Sequence, residues 1–190
     1  MRDVTPVLAG HMTIEDYAEG MVTGDLPGVT AEIYDLLTGV VGRAGEAEIA
    51  FLPADEAASD GSETGWRLAH VICHVTAGLE EGAALASTLA RGAEVTGRSR
   101  FETPWASVRT PDQLRQRVAE SRRMSDAFLQ TWPDQPDLET TDTPVPRFGP
   151  LNAIHRHLLG IIHAESHRAQ LAGILDQAAA ASVSGARARS

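Results

Sequence analysis

The sequence predicts an all-α protein built as a four-helix bundle. Its long segments repeat their apolar residues with the 3.6-residue period of an amphipathic helix, and none shows the alternation of a convincing strand. Long irregular connections, one of them rich in proline, separate the helical segments as crossover loops would. The length of 190 residues fits one domain, and 43% hydrophobic with 22% charged residues is typical of a globular protein.

The N-terminal part of the chain predicts only a short helix. The Thr13 hydroxyl can cap this helix, and Asp16 stands three residues later in the capping-box position. Glycine and proline then interrupt the chain. We therefore expect residues 1–28 to form an acidic leader that precedes the bundle.

Two long helices are predicted next. The first runs from about Thr30 through Val41, where the apolar residues share one face, and it ends before Pro53. Residues 53–65 are acidic and small, which is typical of a loop. The second helix starts near Trp66 and continues to about Ala90 with a helical period throughout.

The following segment, residues 91–109, is irregular, and we expect Phe101 and Trp105 to anchor it to the bundle. A third helix should begin at Thr110, since a capping hydroxyl followed by Pro111 at the first helical position is a strong start signal. Its apolar face continues to Trp132.

Five prolines exclude a helix in residues 133–150. The last helix is predicted from about Leu151 to Ala180, followed by a flexible tail over residues 181–190. The bundle therefore spans residues 29–180.

Composition narrows the partners and the chemistry. The 16 basic and 26 acidic residues give a net charge of −10, which disfavours nucleic acid and anionic membranes as partners. Every basic residue is arginine, so Schiff-base and lysine-nucleophile mechanisms are excluded. The single cysteine, Cys73, is expected to be a buried structural thiol. With no membrane span and no signal peptide visible, we expect a cytoplasmic protein.

Histidine is the residue type that suggests chemistry. Six of the seven histidines lie on two predicted helices, and these include two pairs at i, i+4 spacing, His70 with His74 and His163 with His167. This spacing places two imidazoles on one helical face, where both can reach one metal ion. The alternative, a core histidine that bonds to a neighbour, is preferred for His155 and His157 but not for the pair at His163 and His167, which apolar residues flank.

Two further side chains lie on the faces that carry these histidines. Glu81 follows His74 by two helical turns and is the one carboxylate that could act as a general base beside a metal site. Gln170 stands in the same relation to His163 and could support a ligand or face the substrate. A solvated Glu81 is the competing interpretation.

Two stretches of the sequence resemble the signatures of the DinB-like superfamily. Trp66 precedes His74 by eight positions within GWRLAHVICHVTAG, and the second stretch near the C-terminus is HAESHRAQLAGIL. In that superfamily a tryptophan opens the second helix, which supplies one metal histidine, and the last helix supplies two more, followed by a glutamine. The resemblance implies His74, His163 and His167 as metal ligands and places the glutamine at Gln170.

The resemblance also implies a bundle of up-down-down-up topology, a divalent metal, most often zinc or nickel, and a homodimer. Some members are similar to thiol-dependent S-transferases, in which a low-molecular-weight thiol such as bacillithiol or mycothiol attacks an electrophilic small-molecule substrate. This is the function that we expect. A metal-dependent hydrolase acting through metal-bound water is one alternative, and a non-catalytic, stress-related bundle that binds a metal or ligand is another. His70 is an additional histidine near this set that could support a ligand or face the substrate, and a fourth ligand there would close the site.

Overall fold

The computed structural model describes residues 2–54 and 65–187, which are helical except for turns and loops. The α-helices, in chain order, are α1 (Thr5–Leu8), α2 (Ile14–Tyr17), α3 (Leu26–Gly42), α4 (Glu46–Ala50), α5 (Leu68–Leu89), α6 (Pro111–Gln130), α7 (Ala153–Ser166) and α8 (Arg168–Arg187). Within these residues there is no strand, and the all-α expectation is confirmed.

Helices α3, α5, α6 and α7 build the bundle, because α3 and α5 each pack against both α6 and α7. A buried hydroxyl cluster fixes α3 against α6: the Tyr34 hydroxyl lies 2.8 Å from the hydroxyls of Ser121 and Ser125. Burial raises the pKa of Tyr34 to about 12, so this phenol stays neutral. These polar groups satisfy one another inside an apolar core, which favours one packing arrangement of the two helices.

Glycines allow α5 and α7 to approach closely. A Cβ at Gly82 would lie 3.2 Å from the Cα of Gly160, and a Cβ at Gly160 would lie 3.0 Å from the carbonyl oxygen of Gly78. Distances this short leave no room for a side chain without backbone movement. The two backbones are therefore in direct contact where the middle of α5 crosses α7.

Both predicted capping residues, Thr13 and Thr110, form capping boxes. The Thr13 hydroxyl accepts from the backbone N–H of Asp16, and the Asp16 carboxylate accepts from the N–H of Thr13. Thr110 and Gln113 form the same reciprocal pair at the start of α6, with Pro111 at the first helical position. These local signals therefore predicted two helix starts correctly.

The N-terminal segment packs onto the bundle. Val7, Ile14 and Tyr17 are almost fully buried, and both α1 and α2 contact α7. Arg2 donates to the carbonyl oxygen of Tyr17 at 2.6 Å, which ties the start of the chain to α2. Residues 2–25 thus contribute apolar surface to the same core as the bundle.

Several predicted boundaries and contacts differ from the structure. Phe101 is 77% exposed and does not anchor its loop, whereas Trp105 packs against the core as expected. The last helix continues past Ala180 to Arg187, so most of the predicted tail has helical backbone. Residues 55–64 of the predicted acidic loop lie outside the described part of the chain.

The predicted last helix is also divided in two, with α7 ending at Ser166 and α8 starting at Arg168. The Ser166 hydroxyl donates to the His163 carbonyl at 2.6 Å, the acceptor that a continuous helix would offer to the backbone of His167. The His167 N–H bonds instead to the Ala164 carbonyl, one residue closer in the chain. A serine that bonds back to its own helix is a known local competitor of the helical ladder.

No helix in the described ranges combines the length and the apolar character that crossing a membrane requires.

His157 is a core histidine, as preferred from the sequence. Its Nε2 lies 2.8 Å from the Thr30 hydroxyl, which donates to the Leu26 carbonyl and so accepts from the ring. Nδ1 of His157 is buried without a hydrogen-bond partner in the described chain. Burial lowers the pKa of His157 to about 4, because a second ring proton would be enclosed without an acceptor.

His157→Gln should weaken the dependence of stability on pH. An unfolded histidine protonates below about pH 6.5, whereas folded His157 protonates only near pH 4. The contribution of neutral His157 to the free energy of unfolding is thus complete above pH 6.5 and is lost as pH falls towards 4. As pH falls from 6.5 towards 4, the unfolding free energy of wild type should decrease relative to that of the variant by up to about 1.4 kcal/mol per pH unit. Denaturant titrations at pH 7, 6, 5 and 4 measure this, with exposed His11→Gln as control. Parallel profiles for His157→Gln and wild type would contradict it.

Candidate metal centre

Three histidines meet beside the crossing of α5 and α7. His74 lies in the first half of α5, His163 near the end of α7, and His167 at the break between α7 and α8. The three ring centroids are 4.9, 5.0 and 5.2 Å apart. One ligand atom from each ring lies within 4.8 Å of the others, so the cluster could hold a metal ion.

The spacing of the ring nitrogens suits a shared ion. Nε2 of His74 and Nε2 of His163 are 3.0 Å apart. Two nitrogens bound to one zinc at tetrahedral angles are separated by about 3.3 Å, so only a small adjustment is needed. Arg100 and Glu102 lie 3.0 and 3.4 Å from Nδ1 of His74, on the other side of that ring. The nitrogen of His74 that faces the cluster is therefore Nε2.

Gln170 fixes the orientation of His167. Nδ1 of His167 lies 2.7 Å from Oε1 of Gln170, one turn further along α8. An amide oxygen only accepts, so the ring carries its proton on Nδ1 and keeps the lone pair on Nε2. This is how metal-binding histidines are commonly oriented by a neighbouring side chain.

Burial keeps two of the three rings neutral. Burial and the nearby guanidinium of Arg100 lower the pKa of His74 to about 4, although the Glu102 carboxylate opposes the shift. Burial and the neighbouring rings and Arg100 lower the pKa of His163 to about 3. At neutral pH both rings are therefore uncharged, the form that binds metals. Arg100 donates to Nδ1 of His74, so binding a metal through Nε2 requires the ring proton to move to Nδ1, where Glu102 at 3.4 Å can accept it.

His70 lies outside the group of three histidines. Its ring stacks on Trp66, with centroids 4.1 Å apart, and on Trp105 at 5.2 Å. Trp66 also meets His74 edge to face at 4.9 Å. The additional histidine thus belongs to an aromatic stack that packs against one side of the cluster.

A cavity of about 720 Å³ adjoins the cluster and is lined by His74 and His163. Four guanidinium groups line it as well, and two carboxylates accompany them: Arg98, Arg100, Arg147, Arg156, Glu81 and Asp142. Its other walls are largely apolar, and Leu8 reaches the cavity from α1. A small molecule in this space would lie beside two of the three histidines.

Glu81 lines this cavity but is engaged by an arginine. Both of its carboxylate oxygens accept from Arg98, at 3.2 and 3.0 Å, and the side chain is 7% exposed. Burial alone raises the pKa of Glu81, but the hydrogen bonds from Arg98 and the charges of Arg98, Arg156 and Arg100 outweigh it and hold the pKa below its usual value. A carboxylate in this state is a weak proton acceptor.

Two arginines near the histidine cluster, Arg156 and Arg168, have different environments. Arg156 is buried, lines the cavity and pairs with Asp142 at 3.3 Å. Arg168 is exposed and pairs with Glu165 on the surface. Cys73 is buried away from solvent, and burial raises its pKa to about 11, which agrees with an inert structural thiol.

The sequence did not identify several residues that shape this site. Arg98 and Arg100 lie in a loop and Arg147 in a three-residue 3-10 helix, where the sequence has no periodicity, so only their position after folding reveals them. Gly78 and Gly82, at i, i+4 spacing, were a readable signal of a close helix contact. Gly160 has no comparable partner in its own helix.

Comparison with known proteins agrees with this picture. A family model described as the DinB superfamily matches residues 30–171, which include all three histidines and Gln170. Searches of curated proteins and of solved structures returned no match.

Gly78→Ala should impair metal binding with little loss of helix. The new Cβ would lie 2.7 Å from Nδ1 of His163 and 3.2 Å from Arg100, so the His163 ring must turn away. We expect zinc affinity to fall by about 10-fold or more, the scale of a disturbed ligand orientation. Competition with a chelating dye measures affinity, and far-ultraviolet circular dichroism measures helix content. Gly173→Ala is the matched control, because its Cβ meets nothing within 4 Å. Equal affinity of Gly78→Ala and wild type would contradict the expectation.

Proposed function

The chain belongs to the DinB superfamily, and from this premise we propose that it is a metal-dependent S-transferase that uses a low-molecular-weight thiol. The observation that carries the proposal is the placement of a cavity of about 720 Å³ directly against His74 and His163. A histidine cluster without adjoining space would suit a structural metal ion, whereas this cavity leaves room for two small reactants beside the metal.

His74, His163 and His167 would hold the metal, with zinc or nickel as the proposed ion. Three imidazoles leave coordination positions open, as catalytic sites require. When bound, the cation would stabilise the thiolate form of a cosubstrate near neutral pH. Gln170 contributes by keeping the proton of His167 on Nδ1.

The residues that line the cavity would hold an electrophilic substrate beside the thiol. The sulfur then forms a bond to an electrophilic carbon of the substrate, while the leaving group departs with its electron pair. The thiol proton passes to solvent. The apolar walls would exclude water from this reaction and so favour thiol transfer over hydrolysis.

Hydrolysis has less support as the function. It needs a general base near the metal, and Glu81 was the one carboxylate that the sequence offered for that role. Its two hydrogen bonds from Arg98 and its lowered pKa instead favour a lasting ion pair that shapes the cavity wall.

The metal assignment is tested by elemental analysis of untagged protein. We expect about one divalent metal per chain, and its loss when His74, His163 and His167 are all replaced by alanine, because each removes one ligand. His155→Ala is the matched control, since His155 lies on α7 but outside the cluster. Helix content should persist in both variants. Wild-type protein that stays metal-free after addition of zinc or nickel would refute the assignment.

Glu81→Gln tests whether Glu81 acts as a general base or only as the partner of Arg98 in the cavity wall. Zinc-loaded protein would be assayed for conjugation of monochlorobimane with a panel of thiols that includes cysteine, bacillithiol and mycothiol. We expect the variant to keep its metal and to lose only a few-fold in rate, because Glu81 acts as a partner of Arg98. A general base would instead cost on the order of 10²–10⁴-fold. A loss of that size, with metal content unchanged, would overturn the assignment of Glu81 to the cavity wall.

A further inference from the structure

The cavity differs in charge from the rest of the protein. The chain carries a net charge of −10. The lining of the cavity nevertheless includes four arginines against two carboxylates. A local excess of positive charge in a concave, partly apolar site concentrates small anions, while the acidic surface repels large ones. This combination favours a small acidic molecule over a polyanion.

Three of the four guanidinium groups are already paired with carboxylates. Arg98 bonds to Glu81, Arg100 bonds to Glu102 at 2.7 Å, and Arg156 bonds to Asp142. These pairs neutralise much of the local charge and hold their side chains in place.

Arg147 differs from the other three. Its guanidinium carbon lies 4.5 Å from the centroid of the Phe148 ring, and no carboxylate in residues 2–54 or 65–187 forms an ion pair with it. Stacking on an aromatic ring orients the guanidinium but leaves its N–H donors available. Arg147 is thus a cation at the cavity that is positioned and has no acidic partner.

Apolar side chains form the other walls. Leu8 comes from α1, Leu85 from α5, and Leu159 and Ile162 from α7. A ligand that satisfies both kinds of lining carries a carboxylate at one end and an uncharged carbon skeleton at the other.

We propose that the cavity binds a small organic carboxylate, and that Arg147 is the residue that selects it by pairing with the carboxylate. As an assignment of the substrate class this rests on the proposed function, whereas the binding event itself is measurable without it. The planar fork of donors on arginine matches a carboxylate in a bidentate manner, which a neutral amide cannot reproduce.

The test uses succinate as the probe and its diamide, succinamide, as the uncharged match, with binding to zinc-loaded protein followed by calorimetry. We expect succinate to bind, succinamide to bind at least about 10-fold more weakly, and Arg147→Gln to weaken succinate by about 10-fold. Arg123→Gln, an exposed arginine on α6 that pairs with Glu120 and does not line the cavity, should leave binding unchanged.

Equal binding of succinate and succinamide, or equal binding by wild type and Arg147→Gln, would overturn the proposal. Inorganic phosphate that binds where succinate does not would overturn the carboxylate as the ligand class. Repeating the titration with the variant lacking all three histidines separates the two proposals. Arg147-dependent succinate binding there, without metal or thiol transfer in wild type, would refute the S-transferase and retain the anion site. Metal binding and thiol transfer by wild type without succinate binding would refute the anion site and retain the S-transferase.

Discussion

The close contact between α5 and α7 is the constraint on which the candidate site depends. Glycines at the crossing remove the side chains that would hold two helices at their ordinary separation of 8–10 Å. Gly160 meets the backbone of Gly78, and Gly78 in turn leaves the space that the His163 ring occupies. Because His74 and His163 lie on different helices, their nitrogens reach 3.0 Å only when the helices are this close. The same crossing forms one side of the cavity.

Periodicity and local signals predicted most of the fold. The helix starts at Thr13 and Thr110 followed from capping chemistry, which acts within four residues and is therefore readable in sequence. The break at His167 was not predicted, because it depends on which carbonyl the Ser166 hydroxyl bonds to. Phe101 was misjudged for a related reason: apolar character favours burial, but only tertiary packing decides whether a loop side chain reaches the core.

Some residues of the candidate site could also be predicted from the sequence and others could not. Regular spacing along two helices, together with the family resemblance, predicted the three histidines. Three of the four cavity arginines come from irregular connections, where no period relates position to direction, and Arg156 comes from α7. Glu81 was placed on the correct face by helical spacing, yet its partner Arg98 lies in the following loop and changes what the carboxylate can do. Site residues on helices could thus be predicted from the sequence, whereas the loop residues that contact them could not.

The N-terminal segment gives the cavity an independent point of variation. Leu8 belongs to the cavity lining, although it precedes residues 30–171, where the family resemblance lies. Its neighbours on α1 and α2 are anchored in the core through Val7, Ile14 and Tyr17. A substitution of Leu8, at the end of α1, can therefore change the shape of the cavity. It leaves the glycine contact between α5 and α7 and the three histidines unaltered. Such a separation lets directed evolution in the laboratory retune ligand preference at Leu8 while the bundle is kept intact.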